Sequence, residues 1–313
     1  MKVILLGGAG YFGRTVITDY SSRLPKEYEF VIADYDYKTA RKMAKKLGDR
    51  FSARMVDAAD PRSLEKSLEG ASLAVSFIGP WYRLGELIVE HSLRSEKPLV
   101  ITNTGSVDVS DTLRERLVRS RVRCVTGISL IPGAITILAE EVLNRHPACG
   151  EIAFALEVDT VRSGGLAFIR EYFNLLSRGP DPAVFGKTGK RVSMTLNPSG
   201  IFQKIAARGG SAEGGVKIEL LAALQEMTRK KPAPGGAGGI TLTVSFEARE
   251  ERTSVSLPGE QLFPLLSGML AGATSVALKT GGGGLITPPD MAKNPEFKKY
   301  VEKELQELIE PKE

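Results

Sequence analysis

Cysteine is nearly absent: 313 residues hold only Cys124 and Cys149, and neither belongs to a C-x-x-C pair. Two isolated thiols exclude the disulfide framework of a small secreted domain and the ligand spacing of a structural zinc site. They read as buried thiols in a reducing compartment. The first apolar run is broken by glycines and is not shaped like a leader, so the expected location is the cytoplasm. Histidine is as scarce. His91 and His146 fall within or at the end of helical patterns, so both read as structural, and no metal site is expected. No block of five or six like charges occurs and aromatics make up 7% of the chain, so the net charge of +5 is dispersed. Nucleic acid is therefore not an expected partner. The sequences G-x-S-x-G, H-E-x-x-H and G-x-x-x-x-G-K-[ST] are all missing, which removes the serine-hydrolase elbow, the zinc-protease helix and the nucleoside triphosphatase loop.

Long apolar runs are missing too, with one near exception. "QLFPLLSGMLAGATSVAL", from Gln261 to Leu278, carries no charge. A membrane span needs about 20 mostly apolar residues, and Pro, Gln, Ser and Thr dilute this stretch. It reads as a helix buried in the fold or at a dimer interface. Gly268 and Gly272 form a small-x-x-x-small face that would suit a homodimer. Peripheral contact with a membrane is the less favoured use of the same run.

Glycine, by contrast, is abundant, and four of the 33 open the chain in "LLGGAGYFGR". Gly8, Gly10 and Gly13 spell G-x-G-x-x-G, with Gly7 just before them. The motif lies between a predicted strand ("KVILLG") and a predicted helix (11–23), the context in which it holds a dinucleotide. Its glycines let the backbone turn tightly and approach a pyrophosphate, with Tyr11 and Phe12 leading into a helix whose N-terminus favours an anion. Strand-like runs "EFVIAD", "FSARMVDA", "SLAVSFIG", "PLVIT" and "VRCVTG" then alternate with helical patterns, one ending at Gly48 and another entered through Asp60 and Pro61. The fold class is α/β: a doubly wound, Rossmann-type parallel-sheet domain with its ligand at the C-terminal strand ends.

The second strand ends in Asp34, 21 residues after Gly13, the offset of a ribose-binding carboxylate. A carboxylate there accepts from both ribose hydroxyls and repels a 2′-phosphate, so NAD is the expected cofactor. Tyr35, not an arginine, follows it. Arg14, Lys38 and Arg41 lie near enough in sequence to leave NADP open. Asp57 closes the third strand, either beside the adenine or as a helix-entry residue. Gly79 and Pro80 close the fourth and should pass beneath the nicotinamide. Trp81 and Tyr82 follow, at the cleft mouth or in the core.

From Gly150 the pattern changes. "EIAFALEVDT", "KRVSMTLN" and "GITLTVSFEARE" alternate like half-exposed strands, "GGLAFIREYFNLLSRG" reads as a helix, and "ARGGSAEGG" and "KKPAPGGAGG" read as long loops. These runs give an inserted α+β unit with a mostly antiparallel sheet, for substrate binding or dimerisation. The expected division is 1–130 for the dinucleotide domain, 131–260 for the α+β domain, and 261–313 for helices returning to the first. Candidate groups for proton transfer or substrate binding are Tyr82, Asn103 and Arg162, the last beside Ser163, Gly164 and Gly165.

"GGAGYFGR", "IADYD", "VDAADPRSLEKSLEGASLAVSFIGPW", "GISLIPGAITILAEE", "SGGLAFIREYF" and "GGGGLITPPDM", in this order, resemble the saccharopine dehydrogenase-like oxidoreductases. The resemblance implies an NAD(P)-binding doubly wound domain, an inserted second domain, and hydride transfer to or from an organic substrate. Members act on amino-acid-derived imines or on enoyl and isoprenoid-like compounds. Amino-acid-handling members carry an aspartate before the Pro-Gly pair, where this chain has Ile131 before Pro132 and Gly133. They also have a tyrosine–valine–aspartate run where this chain reads "LVITNTG", so the grip on an amino-acid zwitterion is partly missing. The alternative function is a sensor or assembly protein that binds the dinucleotide without turning it over.

Overall fold

The computed structural model describes residues 1–102, 109–159, 192–199, 240–248, 251–279 and 282–309. Six strands, β1 (Lys2–Leu6), β2 (Glu29–Asp34), β3 (Phe51–Met55), β4 (Leu73–Ser76), β5 (Leu99–Ile101) and β6 (Arg123–Val125), alternate with five helices. These are α1 (Tyr11–Ser22), α2 (Tyr37–Leu47), α3 (Pro61–Leu68), α4 (Trp81–Arg94) and α5 (Asp111–Arg119). The strands are short and apolar at both parities because both faces of the sheet are covered. Val3 and Leu5 face one core, with Phe30, Ile32, Val75 and Val100. Ile4 and Leu6 face the other, with Val31, Ala33, Ala74 and Ile101. Helix entries follow local chemistry: the Asp36 side chain accepts from the Thr39 N–H (3.0 Å) and Asp60 from Arg62 (3.1 Å).

After β6 come a kinked turn, Leu130–Ala134, and α6 (Ile135–Arg145). A second sheet follows, built from β7 (Ile152–Asp159), β8 (Val192–Ser199), β9 (Ile240–Ala248) and β10 (Glu251–Pro258). The chain ends with α7 (Gly259–Leu278), β11 (Gly284–Ile286), α8 (Pro288–Lys293) and α9 (Pro295–Ile309). The first sheet runs β11-β6-β5-β4-β1-β2-β3, every ladder parallel. Its order reverses between β1 and β4, which opens a crevice at their C-terminal ends. The second sheet runs β10-β9-β7-β8. It is mostly antiparallel, as expected, with β7 and β8 the parallel pair. Ile152, Phe154, Leu156, Leu242, Val244 and Phe246 join the core that α7 shares with the first sheet. The opposite face carries hydroxyl pairs, Thr243 with Ser256 (3.1 Å) and Ser245 with Ser254 (2.8 Å).

Four features depart from the sequence reading. The run "GITLTVSFEARE" ends one strand, and the polar "ERTSVSLP" pairs back on it as β10. The return segment contributes a strand as well as helices, since Gly284–Ile286 pairs with Arg123–Val125. α4 begins at Trp81, whereas the helical pattern in the sequence covers 84–95, because the Trp81 ring packs over Gly85 one turn on, where a side chain would collide with it. The fourth departure is a correction: the Gly268/Gly272 face is not available to a second copy. Gly268 lies against the Tyr300 carbonyl and Gly272 against Phe297, so α9 of the same chain fills it.

α7 is the one described helix long and apolar enough to cross a membrane, and 78% of its apolar window is buried inside the fold. Tyr20 of α1 joins it through Thr274 (2.8 Å), and the Arg23 guanidinium reaches Glu304 of α9 (2.7 Å). Arg123 caps its C-terminus, donating to Val276 and Lys279 carbonyls. α6 packs against α8 and α9, and the second sheet begins at Ile152.

Candidate functional site

The glycine loop leaves β1 at the sheet's reversal. Gly7 turns with φ +72°, where a side chain is strained, and its N–H donates to the Ala33 carbonyl at 2.7 Å. A Cβ there would also stand 2.9 Å from Ile78 Cγ1. At Gly13 a Cβ would strike the Gly8 backbone, so the missing side chain seats α1 directly on the loop. Gly10 is the N-cap of α1; it brings no side chain to the first-turn N–H groups, and no acidic residue lies in that turn. A bare helix N-terminus behind a glycine surface fits the pyrophosphate of a dinucleotide. Phe12 packs on Phe77 (5.9 Å between centroids), tying the loop to the segment after β4. Tyr11 is half-buried, and burial raises its phenol pKa while Arg14 draws it down.

At the end of β2, Asp34 Oδ2 accepts the Ala9 N–H and Oδ1 accepts the Asp36 N–H, both at 2.9 Å. Beyond it Tyr35 is 72% exposed, and Arg14, Lys38 and Arg41 are exposed as well. The Asp36 carboxyl is held below the usual carboxylate range, chiefly by the Thr39 hydroxyl and N–H, with Lys38 and Arg14 adding to the effect. Two cations therefore stand near the strand end where a ribose would lie.

Asp57 forms the turn into α3: its Oδ1 accepts from Ala59 and its N–H donates to Ser63 Oγ, both at 2.9 Å. That geometry is the helix-entry arrangement. Pro80, joined to Gly79 by a cis peptide, is buried and opens α4. The aromatic pair divides: Trp81 is in the core and Tyr82 is 58% exposed. The structure thus gathers Gly7, Gly8, Gly10, Tyr11, Phe12, Gly13 and Asp34 in one loop contact, with Gly79 and Pro80 on the adjoining segment. Asn103 and Arg162 lie outside the described residues, as do Ser163, Gly164 and Gly165, the helix starting at Gly164 and both glycine-rich loops.

Several residues at the strand ends escaped the sequence reading. Phe77 and Ile78 touch the loop directly. Thr102 donates through both N–H and Oγ1 to the Ser76 carbonyl, at 3.0 Å each. Ser129 Oγ donates to the Ile131 carbonyl at 2.6 Å, fixing the turn beyond β6. Their only signal was position, one to four residues after a strand. His91, bonded to Glu65 at 3.1 Å, links α3 to α4, and His146 stacks near Phe246 of β9. Burial pushes the Cys124 thiol pKa up, which keeps it protonated and unreactive. Among the described residues no three His, Cys, Asp or Glu side chains gather as metal ligands.

The sequence model of the saccharopine dehydrogenase NADP binding domain matches residues 3–125. No curated protein matches the sequence. Among solved structures, apo saccharopine dehydrogenase (L-Glu forming) from Saccharomyces cerevisiae is similar over 98% of this chain and 97% of that one, with a TM-score of 0.59 and 13% identity. Dipicolinate-bound dihydrodipicolinate reductase from Paenisporosarcina sp. TG-14 overlays on 91% of this chain and 97% of its own, at 9% identity. Its TM-score is 0.42. Residues 3–125 match a domain of the saccharopine dehydrogenase NADP-binding type, and the chain as a whole shares the fold of saccharopine dehydrogenase.

Proposed function

We propose that the protein is an NAD(P)-dependent oxidoreductase whose dinucleotide lies across the crevice between β1 and β4. One observation carries this reading. Four glycines press the backbone close at the exposed N-terminus of α1, in a sheet whose order reverses at that point. The bound nicotinamide would supply or accept a hydride. The chain's own part is positional. N–H groups at the start of α1 bind the pyrophosphate, and the Phe77–Pro80 segment forms the floor beside the loop. Tyr82, exposed on the first turn of α4, is the described candidate to hand over a proton.

NADP(H) is the preferred form in this reading. The matched domain is named for NADP, and Arg14 and Lys38 put positive charge beside the end of β2. The substrate class is a carbonyl, imine or enoyl compound less polar than an amino acid. Ile131, 2% exposed, stands where amino-acid-handling relatives carry a carboxylate. The test is calorimetric titration of the purified protein with NADPH and with NADH, then a substrate screen by loss of reduced-nicotinamide absorbance. Binding of NADPH more tightly than NADH is expected. A folded protein that binds neither would overturn the reading.

A further inference from the structure

Asp34 sits where a carboxylate would read the ribose, and each of its oxygens already accepts a backbone N–H. Oδ2 holds the Ala9 N–H, in the middle of the glycine loop, and Oδ1 holds the Asp36 N–H. The Ala9 bond continues a row of contacts. β1 and β2 pair through Leu6 and Ala33, Gly7 donates to the Ala33 carbonyl, and Ala9 donates to Asp34. The loop is thereby stitched to β2 along its first half. Ala9 is 7% exposed, so its N–H has little water to turn to if Asp34 lets go. Removing the carboxylate, or turning it out of this geometry, would leave a buried donor unsatisfied.

We propose that Asp34 is a positioning residue that latches the glycine loop to the end of β2, and that Arg14 and Lys38 discriminate between a ribose 2′-hydroxyl and a 2′-phosphate. This rests on the cofactor reading above and deepens it. The latch serves both cofactors alike, because it sets the loop that meets the pyrophosphate they share. The two exposed cations act only on the 2′ substituent.

The experiment measures Kd for NADH and NADPH on the full-length protein and on Asp34→Ala, Asp34→Asn and the Arg14→Gln/Lys38→Gln pair. Alongside it, hydrogen exchange at the Ala9 amide is followed without cofactor. Asp34→Ala is expected to weaken both cofactors about tenfold, with little change in their ratio. Asp34→Asn keeps an acceptor for Ala9 without the charge and should restore most of both affinities. The cation pair should lower NADPH affinity about tenfold more than NADH affinity. Ala9 exchange should be slow in the wild type and in Asp34→Asn, and fast in Asp34→Ala. If Asp34→Ala and Asp34→Asn both weaken NADH while tightening NADPH, the carboxylate reads the ribose and the latch is wrong. Ala9 exchange that ignores the Ala substitution overturns it as well. A wild type that binds neither cofactor ends the cofactor reading, and exchange at Ala9 still decides the latch on its own.

Discussion

At two places in this protein closely spaced glycines are used in opposite ways. Gly7 to Gly13 strip side chains from a loop so that its backbone faces a crevice. Gly268 and Gly272 strip them from the middle of α7 so that another helix of the same chain can lie against it. In both places a missing Cβ permits close approach; what approaches differs. A strand–helix junction leaves amides pointing outward for an anion, whereas the interior of a helix has all its amides satisfied and offers only surface. Spacing alone therefore does not separate a binding loop from a packing seam.

That contrast can be broken by mutation, most severely at the seam. Gly268→Val drives a side chain into the Tyr300 backbone; it should cost about 3 kcal/mol or prevent folding, read by thermal denaturation. Cofactor affinity of any folded fraction should stay unchanged. Gly10→Val is the reciprocal case. Its Cβ would have only the Gly7 carbonyl nearby, at 3.1 Å, and its φ of −66° suits any residue. Stability should fall by less than about 1 kcal/mol while dinucleotide affinity falls tenfold or more, about 1.4 kcal/mol by titration. A Gly10→Val protein that binds cofactor normally would show that the loop is a packing turn like the seam.

Two smaller effects sharpen the comparison by probing how each region is anchored. Tyr20→Phe removes the buried bond from α1 to Thr274 of α7 and should cost about 1.5 kcal/mol in denaturant unfolding. Asp36→Ala deletes the cap of α2 beside the loop and should cost about 1 kcal/mol. The pH dependence of that cap follows from its depressed pKa. The folded chain keeps Asp36 ionised to lower pH than the unfolded chain does. Its contribution is therefore complete above the ordinary aspartate pKa and is lost as pH falls through the depressed one. Stability curves of wild type and Asp36→Ala should converge only in that acid range.

Much of the first domain was legible because each element carried its own signal. β1 and β2 are apolar at both parities, α2 ends at Gly48, and α3 is entered through Asp60 and Pro61. β10 was hidden because one of its faces is a row of serines and threonines paired to β9, which reads as a polar loop. β11 has three residues, too few for a period. The position of Asp34 was legible and its bonds were not: the backbone N–H groups of Ala9 and Asp36, which its two oxygens accept, are invisible in a sequence. The partner of the Gly268 face was equally hidden, since nothing local to α7 says that Tyr300 returns to it.

The late arrival of α7 has a consequence for synthesis. It covers β4, β5 and β6 on one face of the first sheet, yet it begins at residue 259, long after β6 has been made. While the intervening chain is being translated, that half of the sheet has no lid of its own, and Val75, Val100 and Val125 must wait bare or be sheltered by another molecule. A nascent chain of this design is most exposed to aggregation in the middle of its own production, and a fragment cut after residue 125 would inherit that bare face permanently.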